Sequence, residues 1–415
     1  MGGFENALRA LKVRNYRIYT VGNSISLIGT WLQRIAVGWL AWQLTHSTVW
    51  LGLVAVADLA PTIVLSPIAG ALADRINRVR LIWGTQIVAM SVAILLALLT
   101  FSGSIAIVSL FLLTLTLGAA NAVNQPARLA LVPNLVAREQ LGSAVAINSL
   151  VFNSARFIGP ALAGLVIARG SVGLAFALNA TSYIAFLLAL ARLREVPETP
   201  SGPRRHMISE TLDGYAYSVR HPGIGQIFIL FALTSVSVRG FIELFPGFTD
   251  LVFHRGAQGL AWLTATIGLG AVCGGLWMVR RPGIRGLTNL IVAHTLVLAL
   301  AVLGFAATST YWVALVALGF VGFAMITTGI AAQTLVQTAV DPAMRGRVMG
   351  FYGMLFRAGP ALNALLMGWL SSFLGLQLTV ALGAGLCLFY WLWARLRREN
   401  MEAALEVAAR GAAAE

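Results

Sequence analysis

"RFIGPALAGLV", residues 156–166, returns as "FRAGPALNALL", residues 356–366. The shared Gly-Pro-Ala-Leu is displaced by 200 residues, close to half of a 415-residue chain. Small residues inside apolar runs let neighbouring helices approach closely. Gly159 and Pro160, and their counterparts Gly359 and Pro360, therefore read as helix-packing positions that occur once in each half. Between the halves lies 193–222, the longest polar segment. It holds Pro197, Pro200 and Pro203, and its "ETLDGYAYSVRHP" is suited to a short surface helix. The expected organisation is an N-terminal bundle over 1–192, a cytoplasmic linker over 193–222, a C-terminal bundle over 223–398 and a cytoplasmic tail over 399–415.

Working outward from the repeat, the composition is that of an integral membrane protein. Hydrophobic residues make up 58% and charged residues 11%, with a mean hydropathy of +0.82. A soluble chain of this size needs about 25% charged residues to cover its surface. Runs of membrane-crossing length fall at 16–43, 49–73, 81–101, 105–125, 141–168, 172–191, 224–248, 260–279, 287–307, 311–337, 348–373 and 376–394. None alternates with period two, so helices are expected rather than the strands of an outer-membrane barrel. The fold class is all-α, with twelve transmembrane helices in two pseudo-symmetric six-helix bundles. Cys273 and Cys387 lie inside apolar runs and read as inert packing residues.

The basic residues orient the chain. Outside the runs or at their edges, twenty-three Lys and Arg fall on one side and two, Arg169 and Arg255, on the other. The larger group includes Arg75, Arg78, Arg80, Arg128, Arg138, Arg345 and Arg347. Such asymmetry places both termini in the cytoplasm and requires an even number of spans. It also explains the formal net charge of +14 without nucleic acid, because the charges lie in ones, twos and threes between apolar runs.

Several stretches give a family resemblance. "GALADRINRVR", 70–80, resembles the loop between spans two and three of major facilitator superfamily transporters, with Gly70, Asp74, Arg75 and Arg78 at the motif positions. Asn77 stands where that loop commonly has a glycine at φ > 0. "GTWLQRIAVGWLAWQLTHS", "PTIVLSPIAGALADR" and "MRGRVMGFYG" resemble the branch of enterobactin-type siderophore exporters and macrolide-efflux proteins. Gly159-Pro160 resembles the antiporter signature of span five, with Ala146, Ala155 and Ala163 where glycine is typical. The resemblance covers about 15–398. It implies the major facilitator fold, a multi-pass place in the bacterial inner membrane, a monomer and a small-molecule substrate. It also implies that the 70–80 turn is a cytoplasmic gate, in which Asp74 would dock near Arg347 at the positive N-terminus of span eleven.

Charges within spans are costly unless they face a cavity or a partner. Arg34, Arg156, Arg239, Arg357, Asp58 and Glu243 are such charges. Polar residues share their faces at helical steps: Asn23, Ser26 and Thr30 lead to Arg34, and Asn153 to Arg156. Asn121 and Gln125 lie in span four, and Gln333 and Gln337 in span ten. In the family, spans one, four, seven and ten line a central cavity, so these residues are cavity candidates. Trp31, Trp39, Trp42 and Trp50 read mostly as an interfacial belt. Arg34 and Asp58 each lie twelve residues from His46 in the turn "THST". Equal separations in an antiparallel hairpin give equal depth, so the two are expected to face each other. Proton binding to Asp58 would then release Arg34.

The chain carries no P-loop, HExxH, GxSxG or CxxC, and its only lysine is Lys12. Enzyme chemistry, direct ATP coupling and a cofactor are therefore not expected. A proton gradient is the expected energy source, with Asp58 or Glu243 as the carrier. Four interior arginines against two acids favour an amphiphilic substrate with anionic or hydrogen-bond-accepting groups, as a siderophore has. A proton-coupled exporter working by alternating access is the leading reading. A symporter for uptake, or a channel or other non-transport membrane protein, are the alternatives.

Overall fold

The computed structural model describes residues 9–194, 207–281, 283–341 and 344–407, without the side chains of 66–68, 70, 71, 73–75, 138, 207–212, 357 and 407. Every regular element among them is helical. The first half supplies α1 (Arg14–Thr45), α2 (Thr48–Arg75), α3 (Arg78–Phe101), α4 (Ile107–Leu131), α5 (Leu141–Arg169) and α6 (Val172–Ala191). A linker helix, Met207–Arg220, precedes α7 (Pro222–Val252). Then come α8 (Gly256–Val279), α9 (Leu287–Ala307), α10 (Tyr311–Ala339), α11 (Arg345–Leu374) and α12 (Leu376–Leu396). Among the described residues ten of these helices are long and apolar enough to cross a membrane. The other two, α1 with 32 residues and α11 with 30, have the length but carry more polar residues.

Local chemistry sets the helix ends. His46 stops α1 in the left-handed region, at φ 47°, and its N–H donates to the Trp42 carbonyl at 2.7 Å. Asn77 corrects an expectation. It does not take positive φ but sits at φ −49°, ψ 120°, and its Oδ1 accepts the Arg80 N–H at 3.0 Å. An N-cap of that kind is worth about 1 kcal/mol, and asparagine is chosen for it as readily as for a left-handed turn. His221 caps α7, Nδ1 accepting from Gly223 and Ile224 at 3.3 Å each. Burial holds its pKa below the usual imidazole value. The cap is thus intact above about pH 6.5 and weakens as the pH falls and the ring is driven to protonate.

Contacts divide the chain into two compact units: Met1–His46, Ala57–Pro203 and Arg255–Ala265 form one, and Ser47–Val56, Arg204–His254 and Thr266–Glu415 the other. Each takes in the opening turns of one helix from the opposite half of the sequence. Within the first, Gly159 of α5 meets α1, where a β-carbon would collide with Trp31 and lie 2.9 Å from the Ile28 carbonyl oxygen. Gly118 of α4 meets the Ala57 and Asp58 carbonyls of α2, and Gly29 of α1 meets Asn179 and Ser182 of α6. The same three crossings recur in the second unit. Gly359 of α11 packs on Ser235 of α7, Gly322 of α10 on Ile267 of α8, and Gly383 of α12 on Ser237 of α7. The duplication seen in the sequence is a duplication of close backbone contacts.

α7 is not a regular helix. Pro222–Thr234 is α-helical, Ser235–Arg239 is a π-turn, Phe241–Leu244 a 3-10 turn and Phe248–Val252 a second π-turn. Irregular backbone at membrane depth is tolerated only where protein surrounds it. Here Phe241, Phe245, Phe248 and Phe305 are fully buried around it. Asn363 of α11 closes the break: its Oδ1 accepts the Gly240 N–H at 2.5 Å and its Nδ2 donates to the Val236 carbonyl. The first repeat has Ala163 at this place.

The segment after α12 also folds back. Met401 and Leu405 are buried, and so is Glu406. The Glu406 carboxylate accepts the Gly286 N–H at 2.5 Å and the Thr288 N–H at 2.8 Å, at the start of α9. A carboxylate there satisfies donors a helix cannot satisfy itself and sits favourably at the dipole's positive end.

The glycine crossings give a prediction with an internal control. Gly159→Ala forces α5 off α1 and should cost about 1–3 kcal/mol. Gly353→Ala, on α11 with open space beyond it, should be neutral or stabilising through helix propensity. Thermal unfolding of the two purified variants measures this. Equal effects would show that crossing closeness is not what Gly159 supplies.

Candidate functional site

Three helices of the first unit bring charge together at Trp31. Arg34 lies one turn after Trp31 on α1, Asp58 comes from α2, and Arg156 from α5. Arg34 Nη1 is 3.3 Å from Asp58 Oδ2. The Arg34 guanidinium carbon lies 5.6 Å from the Trp31 ring centroid and that of Arg156 lies 5.7 Å from it. The expected pairing of Arg34 with Asp58 is therefore present. The equal-depth reasoning holds because α1 and α2 are joined through His46 and Ser47 alone. Side-chain exposures of 33% and 23% leave the pair half-buried. The cluster holds two cations and one acid, so adding a proton to Asp58 raises a local charge that is already positive.

Trp31 was expected in an interfacial belt and serves instead as the ring against which two arginines lie. Trp39 and Trp42 are likewise buried in the protein rather than exposed at an interface. The sequence signal that identifies Trp31 is its three-residue spacing from Arg34, the same face of the helix.

A second cation was missed. Arg128, counted among the loop charges, lies inside α4. Its Nη1 donates to Asn23 Oδ1 at 2.8 Å and its Nε to Asn124 Oδ1 at 3.1 Å. Its guanidinium lies 4.6 Å from the centroid of the Phe186 ring. Asn23, a cavity candidate, is thus buried and bound to this arginine.

The remaining candidates separate. Thr30 and Asn153 turn back on their own helices, donating to the Ser26 and Ser149 carbonyls at 2.8 Å each. Asn121 is half-buried and Gln125 exposed on α4; Gln333 and Gln337 are exposed on α10. Arg239 is buried in the π-turn of α7, 4.1 Å from the Phe231 centroid and 5.6 Å from that of Phe356. Glu243 is half-buried in the 3-10 turn that follows. The two acid and base positions are thus separated by a change of helix type, not by one regular α-turn. Gly159 and Gly359 pack as described, with Pro160 and Pro360 beside them.

Of the gate residues, Arg78 donates to the Ala130 carbonyl at 3.3 Å. Arg347 pairs with Asp213 of the linker helix at 3.1 Å, beside a cleft of about 630 Å³ bordered by Tyr217, Arg220, His221 and Met344. The side chains of Gly70, Asp74, Arg75 and Arg357 lie outside the described residues.

A family profile described as "Transmembrane secretion effector" matches residues 6–411. The Enterobactin exporter EntS of Escherichia coli is 30% identical over 365 residues, 86% of this chain and 85% of that protein. The Staphyloferrin A transporter of Staphylococcus aureus is 29% identical over 279 residues, 67% of this chain and 70% of that one. Among solved structures, a POT family transporter in complex with 5-aminolevulinic acid superposes with a TM-score of 0.76 at 12% identity, over 94% of this chain and 96% of that chain. A bacterial homologue of the human lysosomal transporter Spinster gives 0.68 at 16% identity, over 95% of each.

Removing one member of the Arg34–Asp58 pair leaves the other charge uncompensated. Arg34→Gln and Asp58→Asn should each lower the unfolding midpoint. The swap Arg34→Asp with Asp58→Arg should recover stability, with a coupling of about 0.5–3 kcal/mol in a double-mutant cycle. A swap whose loss equals the sum of the single losses would remove the pair as a stabilising contact.

Proposed function

Because the chain belongs to the transmembrane secretion effector family of the major facilitator superfamily, transporters rather than enzymes, we propose that it is a secondary active exporter. It moves a small amphiphilic molecule, of the siderophore kind, out of the cytoplasm by alternating access, driven by the proton gradient, with both termini cytoplasmic. The names of the relatives support the direction and the class of substrate. One observation carries the coupling: the half-buried carboxylate of Asp58, set 3.3 Å from Arg34 and in a cluster with Arg156.

The sign of coupling follows from what the substrate touches. For export against inward proton flow, proton and substrate must compete. A hydroxyl or other donor on the substrate bonds to ionised Asp58, while its anionic groups meet the two arginines. Protonating Asp58 removes that acceptor and expels the donor group. The opposite sign follows if the substrate's anion displaces Asp58 from Arg34. The freed carboxylate then binds a proton more readily, and proton and substrate travel together. The Arg34–Asp58 contact favours this second, symport reading to the extent that the substrate touches Arg34 alone.

Binding in weakly buffered solution separates the two. Adding enterobactin or staphyloferrin A to the purified protein should release protons if the pair competes, and take them up if it co-binds. Asp58→Asn should abolish either signal. It should also abolish gradient-driven accumulation in everted vesicles while leaving substrate exchange. Loss of the signal in Glu243→Gln and not in Asp58→Asn would move the coupling role to Glu243.

A further inference from the structure

Arg128 is held in an unusual way for a charge in a membrane-embedded bundle. Its partners are neutral: the side-chain oxygens of Asn23 and Asn124, and the Phe186 ring. Among the described residues no carboxylate bonds to it, and its Nη2 makes no hydrogen bond. Two amide oxygens orient the guanidinium without cancelling its charge. A half-buried cation held this way keeps its charge, which a structural role alone does not require, since a neutral side chain would satisfy the same asparagines.

The position is equally telling. Thr114, Gly118, Asn121, Gln125 and Arg128 follow one another on α4 at steps of four and three residues, so they form one face. Gln125 on that face is exposed and Asn121 half-buried, so the protein does not seal it. Asn23 ties Arg128 to the polar face of α1 that ends at Arg34. The two α1 positions are separated by about 16 Å at about 1.5 Å per residue. Arg78, the first residue of α3, bonds to the Ala130 carbonyl two residues beyond Arg128. Arg128 therefore lies at the basic-loop end of the first unit, and the Arg34–Asp58–Arg156 cluster lies deeper along the same polar face. The deeper cluster carries its own acid; Arg128 does not.

We propose that Arg128 is an anion-binding subsite, which takes a carboxylate or similar oxyanion group of the transported molecule ahead of the Trp31 cluster. Asn23 and Asn124 aim the guanidinium, and the Nη2 edge meets the anion. The assignment rests on the exporter reading above for the identity of the ligand as a substrate.

The test uses the full chain in lipid nanodiscs. Calorimetric titration compares citrate and 2,3-dihydroxybenzoate, each beside its uncharged methyl ester, with thermal unfolding in parallel. Wild type should favour at least one acid over its ester by about ten-fold or more, the size of a charged hydrogen bond. Arg128→Gln should lose that preference while ester affinity is unchanged, and Arg128→Lys should keep part of it. A folded Arg128→Gln with the wild-type preference overturns the subsite. If Arg128→Gln does not fold, Arg128→His decides. Its preference should be present at pH 5.5 and gone at pH 8, and a preference equal at both overturns the subsite. Wild type with no preference for either acid instead overturns the anionic-substrate reading, and the subsite falls with it.

Discussion

Two helices in lipid gain no hydrophobic energy by touching each other rather than the acyl chains, so the closeness of their contact has to hold them. The rest of this structure depends on that constraint. Gly159 lets α5 lie against α1 at Trp31. Arg156, one turn earlier on α5, is thereby carried to the ring that Arg34 also uses. The packing motif and the charged cluster are consequences of one crossing. In the second unit the equivalent glycine, Gly359, sets α11 on Ser235 of α7. The next turn of α11 presents Asn363 to the broken backbone that carries Arg239 and Glu243.

The two halves share crossings but not chemistry. In the first, cations are met by an acid, by amides and by a tryptophan ring. In the second, Arg239 is enclosed among phenylalanines, and the polar effort goes into satisfying main-chain groups of α7. Asn363 in place of Ala163 marks the divergence at a single position. A helix that keeps its hydrogen bonds needs only a small residue at the crossing, whereas one that has broken them needs an amide.

Much of this was legible in the amino-acid order. Run length revealed the twelve long helices because lipid imposes a fixed thickness. The Arg34–Asp58 contact was legible because a two-residue turn leaves little freedom in depth. Arg128 was not, because counting basic residues into loops assumes that a span ends where charge begins; α4 continues past Gln125 to Leu131. Asn77 has two roles that local sequence does not separate, and only the backbone reveals the N-cap. The π and 3-10 turns of α7 depend on tertiary partners, above all Asn363, and no periodicity announces them. Glu406, in a charged and alanine-rich segment, reads as a solvated acid until its two amide partners are seen.

That last contact has a consequence for how the protein is made. Gly286, at the threshold of α9, and the carboxylate that caps it are separated by 120 residues. At ribosomal speeds of about 5–20 residues per second, about 6–24 s pass between synthesis of the two. Over that interval the leading amides of α9 lack the carboxylate that meets them in the folded chain. This end of the second unit is therefore finished last, by the segment that follows α12. Its maturation ends with a clasp closing rather than with a span inserting.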